Sequence, residues 1–109
     1  MPIVQMKLVS THAPLSTHGR LFREEENDGK KTLRLVKPDI RLTIANPCEV
    51  DLPSGQYHYI FSAQNGICDF KIVTSKKSSD GYFQIDVDTF QPTTPYETFE
   101  IVSSFTVTA

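Results

Sequence analysis

Apolar and polar residues alternate at a period of two along most of the chain, and the alternation stops wherever Gly, Pro or Asn and Asp cluster. Val4, Met6 and Leu8 alternate with Gln5 and Lys7, which predicts a strand ending near Ser10. Residues 11–19 are polar, contain Pro14 and Gly19, and read as a loop. Leu21 and Phe22 then lead into an acidic arm, Glu24-Glu25-Glu26, an Asp28-Gly29 turn and a basic pair, Lys30-Lys31. Folded on that turn, Glu26 lies opposite Lys31 and Phe22 opposite Leu35; each opposite-charge pair across the strands adds about 0.2–1 kcal/mol. Lys37-Pro38 predicts a strand break, because Pro cannot donate to a ladder. Ile40, Leu42 and Ile44 form the next strand, and a polar loop from Asn46-Pro47 runs to Gly55.

The most legible local signal is Asn65-Gly66, set between Gln56–Gln64 and Ile67–Thr74. A type I′ turn needs φ > 0 at both central residues, and Asn-Gly supplies it. The predicted hairpin pairs Tyr57 with Thr74, Tyr59 with Ile72, Phe61 with Phe70 and Ala63 with Cys68, so the apolar faces coincide. Beyond a polar turn at residues 75–81, Phe83, Ile85 and Val87 are expected to face the core, with Gln84, Asp86 and Asp88 in solvent. Pro92 and Pro95 frame an extended connector, and Phe99, Ile101, Phe105 and Val107 share one parity on a last strand.

No segment carries a sustained i, i+3, i+4, i+7 apolar pattern, so helix is not expected. About eight short strands in a row predict a single antiparallel all-β sandwich, with a small OB-like barrel as the alternative. With 109 residues the chain fits one domain, residues 1–109, burying about 65% of its unfolded surface. The expected core is Met6, Leu8, Phe22, Leu35, Leu42, Ile44, Tyr57, Tyr59, Phe61, Phe70, Ile72, Phe83, Ile85, Phe99 and Phe105.

Leu52-Pro53-Ser54-Gly55-Gln56-Tyr57-His58-Tyr59 resembles the corner between strands E and F of immunoglobulin-like domains. The resemblance implies that the Tyr57 hydroxyl bonds back to backbone across the corner. It also implies that residues 40–45 correspond to strand E and residues 67–74 to strand G. Tyr59 stands where antibody domains place a Cys, and the chain has no Trp.

Charge narrows the partners. A net charge of -2 and a pI near 5.8 give no overall attraction to nucleic acid or anionic membrane. No run approaches the roughly 18–20 apolar residues that span a bilayer, and the N-terminal residues lack a secretory pattern, so a cytoplasmic or viral intracellular setting is expected. Cys48 and Cys68 are expected as buried free thiols rather than a disulfide.

Chemistry is sparse. His12, His18 and His58 lack zinc-ligand spacing, and no Gly-x-Ser-x-Gly, phosphate loop or paired catalytic carboxylate motif occurs. Catalytic, cofactor and metal residues are therefore expected to be none. Asp86-Val87-Asp88 puts two carboxylates on one strand face, which could hold calcium only if another segment supplied oxygens; a solvent-facing alternation is the expected explanation.

Two functional classes remain. The first is a non-enzymatic interaction or assembly module that pairs with a protein partner or with itself through an edge strand at residues 97–108, using Phe99, Ile101, Ser103, Phe105 and Val107. The second is a single-stranded nucleic-acid binder in which Tyr57 and Tyr59 stack bases and Arg34, Lys37 and Arg41 supply charge.

Overall fold

A computed structural model describes residues 3–10, 16–64, 70–90 and 101–108. They form eight strands: β1 (Ile3–Val9), β2 (Ser16–Asn27), β3 (Lys30–Thr43), β4 (Cys48–Asp51), β5 (Gly55–Gln64), β6 (Phe70–Ser78), β7 (Gly81–Phe90) and β8 (Ile101–Val107). Two four-stranded antiparallel sheets stack face to face, the first in the order β4-β1-β6-β7 and the second β3-β2-β5-β8. The protein is an all-β sandwich, as the alternation predicts, and not an OB-like barrel.

Among the described strands, β2–β3 and β6–β7 are the hairpins within a sheet, and the other consecutive strands lie in opposite sheets. The β2–β3 turn has Asp28 at φ 53° and Gly29 at φ 77°, the two positive values that an Asp-Gly turn supplies. Its register is the predicted one, with Glu26 opposite Lys31 and Phe22 opposite Leu35.

The strands β5 and β6, expected to be hairpin partners, lie in different sheets. Tyr57, Tyr59 and Phe61 of β5 do share a buried layer with Phe70 and Ile72 of β6, but they meet across the sandwich rather than along a ladder. Phe61 packs edge-on against Phe70 with ring centroids 6.4 Å apart. Alternation states which face is buried; it does not distinguish a strand beside another from a strand above it. The Asn65-Gly66 turn and Cys68 lie outside the described residues. Of residues 67–74, which the resemblance assigns to strand G, the described ones, 70–74, belong to β6 in the first sheet.

Three further departures arise at edge strands with local bulging. Lys37-Pro38 does not end a strand: β3 continues through it because β3 is a sheet edge, and the register shifts twice between Gly19 and Phe22. Those shifts turn Val36 onto the core, while Leu35, expected to be buried, faces solvent. In β7 a shift at Thr74/Ser75 reverses the expected facing of residues 86–88, while Ile85 still packs against the core as expected. Asp86, Asp88 and Phe90 stand opposite Thr74, Ile72 and Phe70 on the inner face, and Val87 and Phe83 are exposed. The polar segments at residues 16–19 and 48–51 are strands as well, the latter a short one at the margin of the first sheet.

The core comprises Val4, Met6, Leu8, Leu21, Ile40, Leu42, Val50, Leu52, Tyr57, Tyr59, Phe61, Phe70, Ile72, Phe105 and Val107. Ile44 and Ile85 pack at its margin, Phe22 is half-buried on the opposite face, and Phe99 lies outside the described residues. Tyr59 ties the layer together: its hydroxyl donates to the Ile40 carbonyl at 3.0 Å and receives the Thr17 hydroxyl at 3.0 Å. Burial pushes this phenol up to about 12. Tyr57 makes the corner bond, its hydroxyl donating to the Pro53 carbonyl at 2.6 Å.

Candidate interaction face

The outward face of the second sheet carries exposed apolar and polar side chains that the ladder brings together. Directly opposed residues share a face, so Leu35, Phe22, His58 and Ser104 form one row across β3, β2, β5 and β8. Arg20, Ile60 and Val102 form the adjacent row across β2, β5 and β8, and Leu33 lies opposite Glu24 at the other side. Leu33, Leu35 and Val102 are each 48% exposed, while Phe22 and Ile60 are half-buried between them. An apolar band thus runs diagonally from the β3 edge to the β8 edge, and it includes Phe22 and Leu35, which were expected in the core.

A polar chain crosses this band. His58 Nδ1 is 2.7 Å from Ser104 Oγ, and His58 Nε2 is 3.6 Å from Glu24 Oε1. The order Ser, His, carboxylate is that of a nucleophile relay, yet the row lies on a flat outward sheet face. A developing oxyanion there would meet water instead of preorganised donors. What the row does provide is a fixed imidazole with a carboxylate and a hydroxyl at its two nitrogens, a polar stripe that gives an apolar surface its register. Sequence inspection missed it because the three residues are far apart in the chain, and only the β2-β5-β8 order assembles them.

The four sheet edges differ in how they are protected. The strand β4 is only four residues long. Strand β3 carries Lys30, Lys31, Arg34, Lys37, Pro38 and two register shifts. Strand β7 has its own shift and two inward carboxylates. Strand β8, with the sequence Ile-Val-Ser-Ser-Phe-Thr-Val, contains no charge, no Pro and no shift, and among the described residues only β5 pairs with it. Short length, charge, Pro and bulges are the usual obstacles to edge-to-edge pairing, and β8 has none of them apart from a modest length.

The residues expected to form a partner site therefore divide. Ser103, Phe105 and Val107 are buried and Ile101 packs at the core margin, so their side chains are committed inward. A strand adding to β8 would meet its backbone, with Val102, Ser104 and Thr106 on the accessible face. The Thr106 hydroxyl is held by the Gln56 side-chain carbonyl. Phe99 lies outside the described residues.

The residues expected to bind nucleic acid are not assembled. Tyr57 and Tyr59 are fully buried, and the stacked neighbours of their rings are Phe105 and Phe61, not free space for a base. Arg34 is paired with Glu25 at 2.6 Å, while Lys37 and Arg41 lie farther along the β3 edge. His18, also outward, contacts Asp39 at 2.5 Å. Cys48 is a free, half-buried thiol whose pKa is raised chiefly by burial. Among the described residues no group of three or more His, Cys, Asp or Glu is arranged to hold a metal ion, and no helix is long and apolar enough to cross a membrane.

The fold and this face define a two-layer antiparallel β-sandwich in which, among the described residues, the β8 edge lacks charge, Pro and bulges. Comparison with protein-family models, with curated proteins and with solved structures finds no match for the chain.

Proposed function

We propose that this domain is a non-enzymatic assembly module that associates with a second copy of itself through strand β8 and the adjoining apolar band. The observation that carries the reading is the contrast among the four edges: three are blunted by shortness, charge, Pro or bulging, and β8 is uncharged, bordered by Val102 and, among the described residues, paired on one side only. Backbone groups of an added strand would satisfy the outer N–H and C=O groups of β8, and Val102, with Ile60 next to it on the same face, would bury apolar area beside it. The Glu24–His58–Ser104 row would fix the register of that contact. A cytoplasmic setting suits free thiols such as Cys48.

Light scattering after size exclusion, over a hundredfold range of concentration, tests the proposal. Wild-type protein should shift from monomer to dimer or higher species, with amide exchange along 101–107 slowing in step. Val102→Lys, which changes an outward side chain and leaves the core intact, should hold the protein monomeric at every concentration. A wild-type monomer throughout, with concentration-independent exchange, overturns the reading. So does salt-sensitive binding of a single-stranded oligonucleotide, which would favour the nucleic-acid alternative.

A further inference from the structure

The side of the sandwich where β7 lies over β8 holds a group of oxygen atoms that the assembly reading does not use. The shift in register at Thr74/Ser75 turns Asp86 and Asp88 inward, opposite Thr74 and Ile72. Ser103, fully buried on β8 in the other sheet, donates its hydroxyl to Asp88 Oδ2 at 2.5 Å. Thr74 is also fully buried, yet its Oγ1 has no hydrogen-bond partner, and neither has the buried Asp86 Oδ2 directly across the ladder.

Buried polar atoms are almost always paired, so two unpaired oxygens at opposed positions of one ladder call for a partner, although the Asp86 carboxyl already meets that of Asp88 beside it. Two carboxylates and two hydroxyls form an all-oxygen donor set, the chemistry of a hard divalent cation rather than of zinc or copper. Donation of the Ser103 proton to Asp88 leaves the Ser103 lone pairs free, and the Thr74 lone pairs are free as well.

We propose that Asp86, Asp88, Thr74 and Ser103 form a calcium site that ties the β7 edge of one sheet to the β8 edge of the other. Calcium is favoured over magnesium because it tolerates irregular geometry and mixed carboxylate and neutral oxygen donors, whereas magnesium demands near-ideal octahedral order. Waters complete the shell on the open side of the sandwich. With only two carboxylates the affinity belongs to the weaker range for calcium proteins, a dissociation constant of about 10⁻⁴–10⁻³ M.

Thermal unfolding and calorimetric titration with CaCl₂ alone, at pH 7.5 against an EDTA reference, decide it. Millimolar CaCl₂ should raise the melting temperature of the wild-type protein by about 5 °C. The rise should vanish in Asp86→Asn and shrink in Thr74→Val, an isosteric change that removes only the hydroxyl, while Asp80→Asn in the β6–β7 turn keeps it in full. Asp86→Asn should fold, since it removes a charge from an inward position. Equal melting temperatures in EDTA and CaCl₂ with no heat of binding would overturn the proposal, leaving the carboxylates as inward charges that guard the β7 edge. A calcium shift that persists undiminished in Asp86→Asn would overturn it too, because the ion would then sit elsewhere.

Discussion

Truncating Phe61 to Ala probes the stacking of the two sheets directly. Phe61 is 2% exposed and its ring meets Tyr59 at 4.7 Å, Phe90 at 5.5 Å and Phe70 at 6.4 Å between centroids. Loss of the buried ring removes about 1.5–3 kcal/mol of transfer free energy. Each of the three aromatic contacts adds about 0.5–1.5 kcal/mol at best, and the cavity adds its own penalty if its walls hold. They should hold, because Tyr59 is anchored by Thr17 and Ile40 while Phe70 and Phe90 belong to the opposite sheet. The expected loss is therefore in the upper part of the usual range, about 4–5 kcal/mol, a third or more of the stability of a domain this size. Urea unfolding followed by fluorescence or circular dichroism should show the midpoint falling by about 2 M with little change in slope. A double-mutant cycle with Phe90→Ala should return a coupling of about 0.5–1.5 kcal/mol, since the two rings touch only if β7 lies across from β5. A loss below about 1 kcal/mol, or zero coupling to Phe90, would refute the stacking.

Two other outcomes follow from the same layer. Gly19→Ala should abolish or severely reduce folding, because the added Cβ would lie 2.2 Å from the Ile60 carbonyl oxygen and 2.5 Å from Phe61 Cβ, neither of which can withdraw; soluble expression and a melting curve check it. Tyr59 makes the protein sensitive to alkali. Its folded-state value of about 12 exceeds the ordinary 10, so its contribution is fully present below pH 10 and is lost as pH rises through 12. The shift is worth about 2–3 kcal/mol. Tyr59→Phe should remove that pH dependence; an unchanged stability profile between pH 9 and 12 would contradict the assignment.

Much of the fold can be read from residue order. Period-two alternation without a helical pattern specifies β structure, and Asp28-Gly29 specifies a hairpin down to the pairing of Glu26 with Lys31, because a two-residue turn leaves no freedom of register. Tyr57, Tyr59, Phe61, Phe70 and Ile72 were identifiable as core because five large apolar side chains on two strands share one parity, and core packing is the natural use of such a face. The same pattern misassigned β5 and β6 as neighbours, since facing sheets and paired strands bury identical positions.

The functional surfaces were the least legible. The Leu35–Phe22–His58–Ser104 row depends on strand order, which is a property of which sheet each link chooses to enter. The inward turn of Asp86 and Asp88 depends on one extra residue at a bulge, which reverses every side chain beyond it. The sequence by itself determined the β class, the Asp28-Gly29 turn and most of the buried layer, because these rest on local geometry and on hydrophobic parity. Only the tertiary structure decided which strands are edges, which apolar residues remain outside and which carboxylates face in, because each of those is set by contacts between segments far apart in the chain.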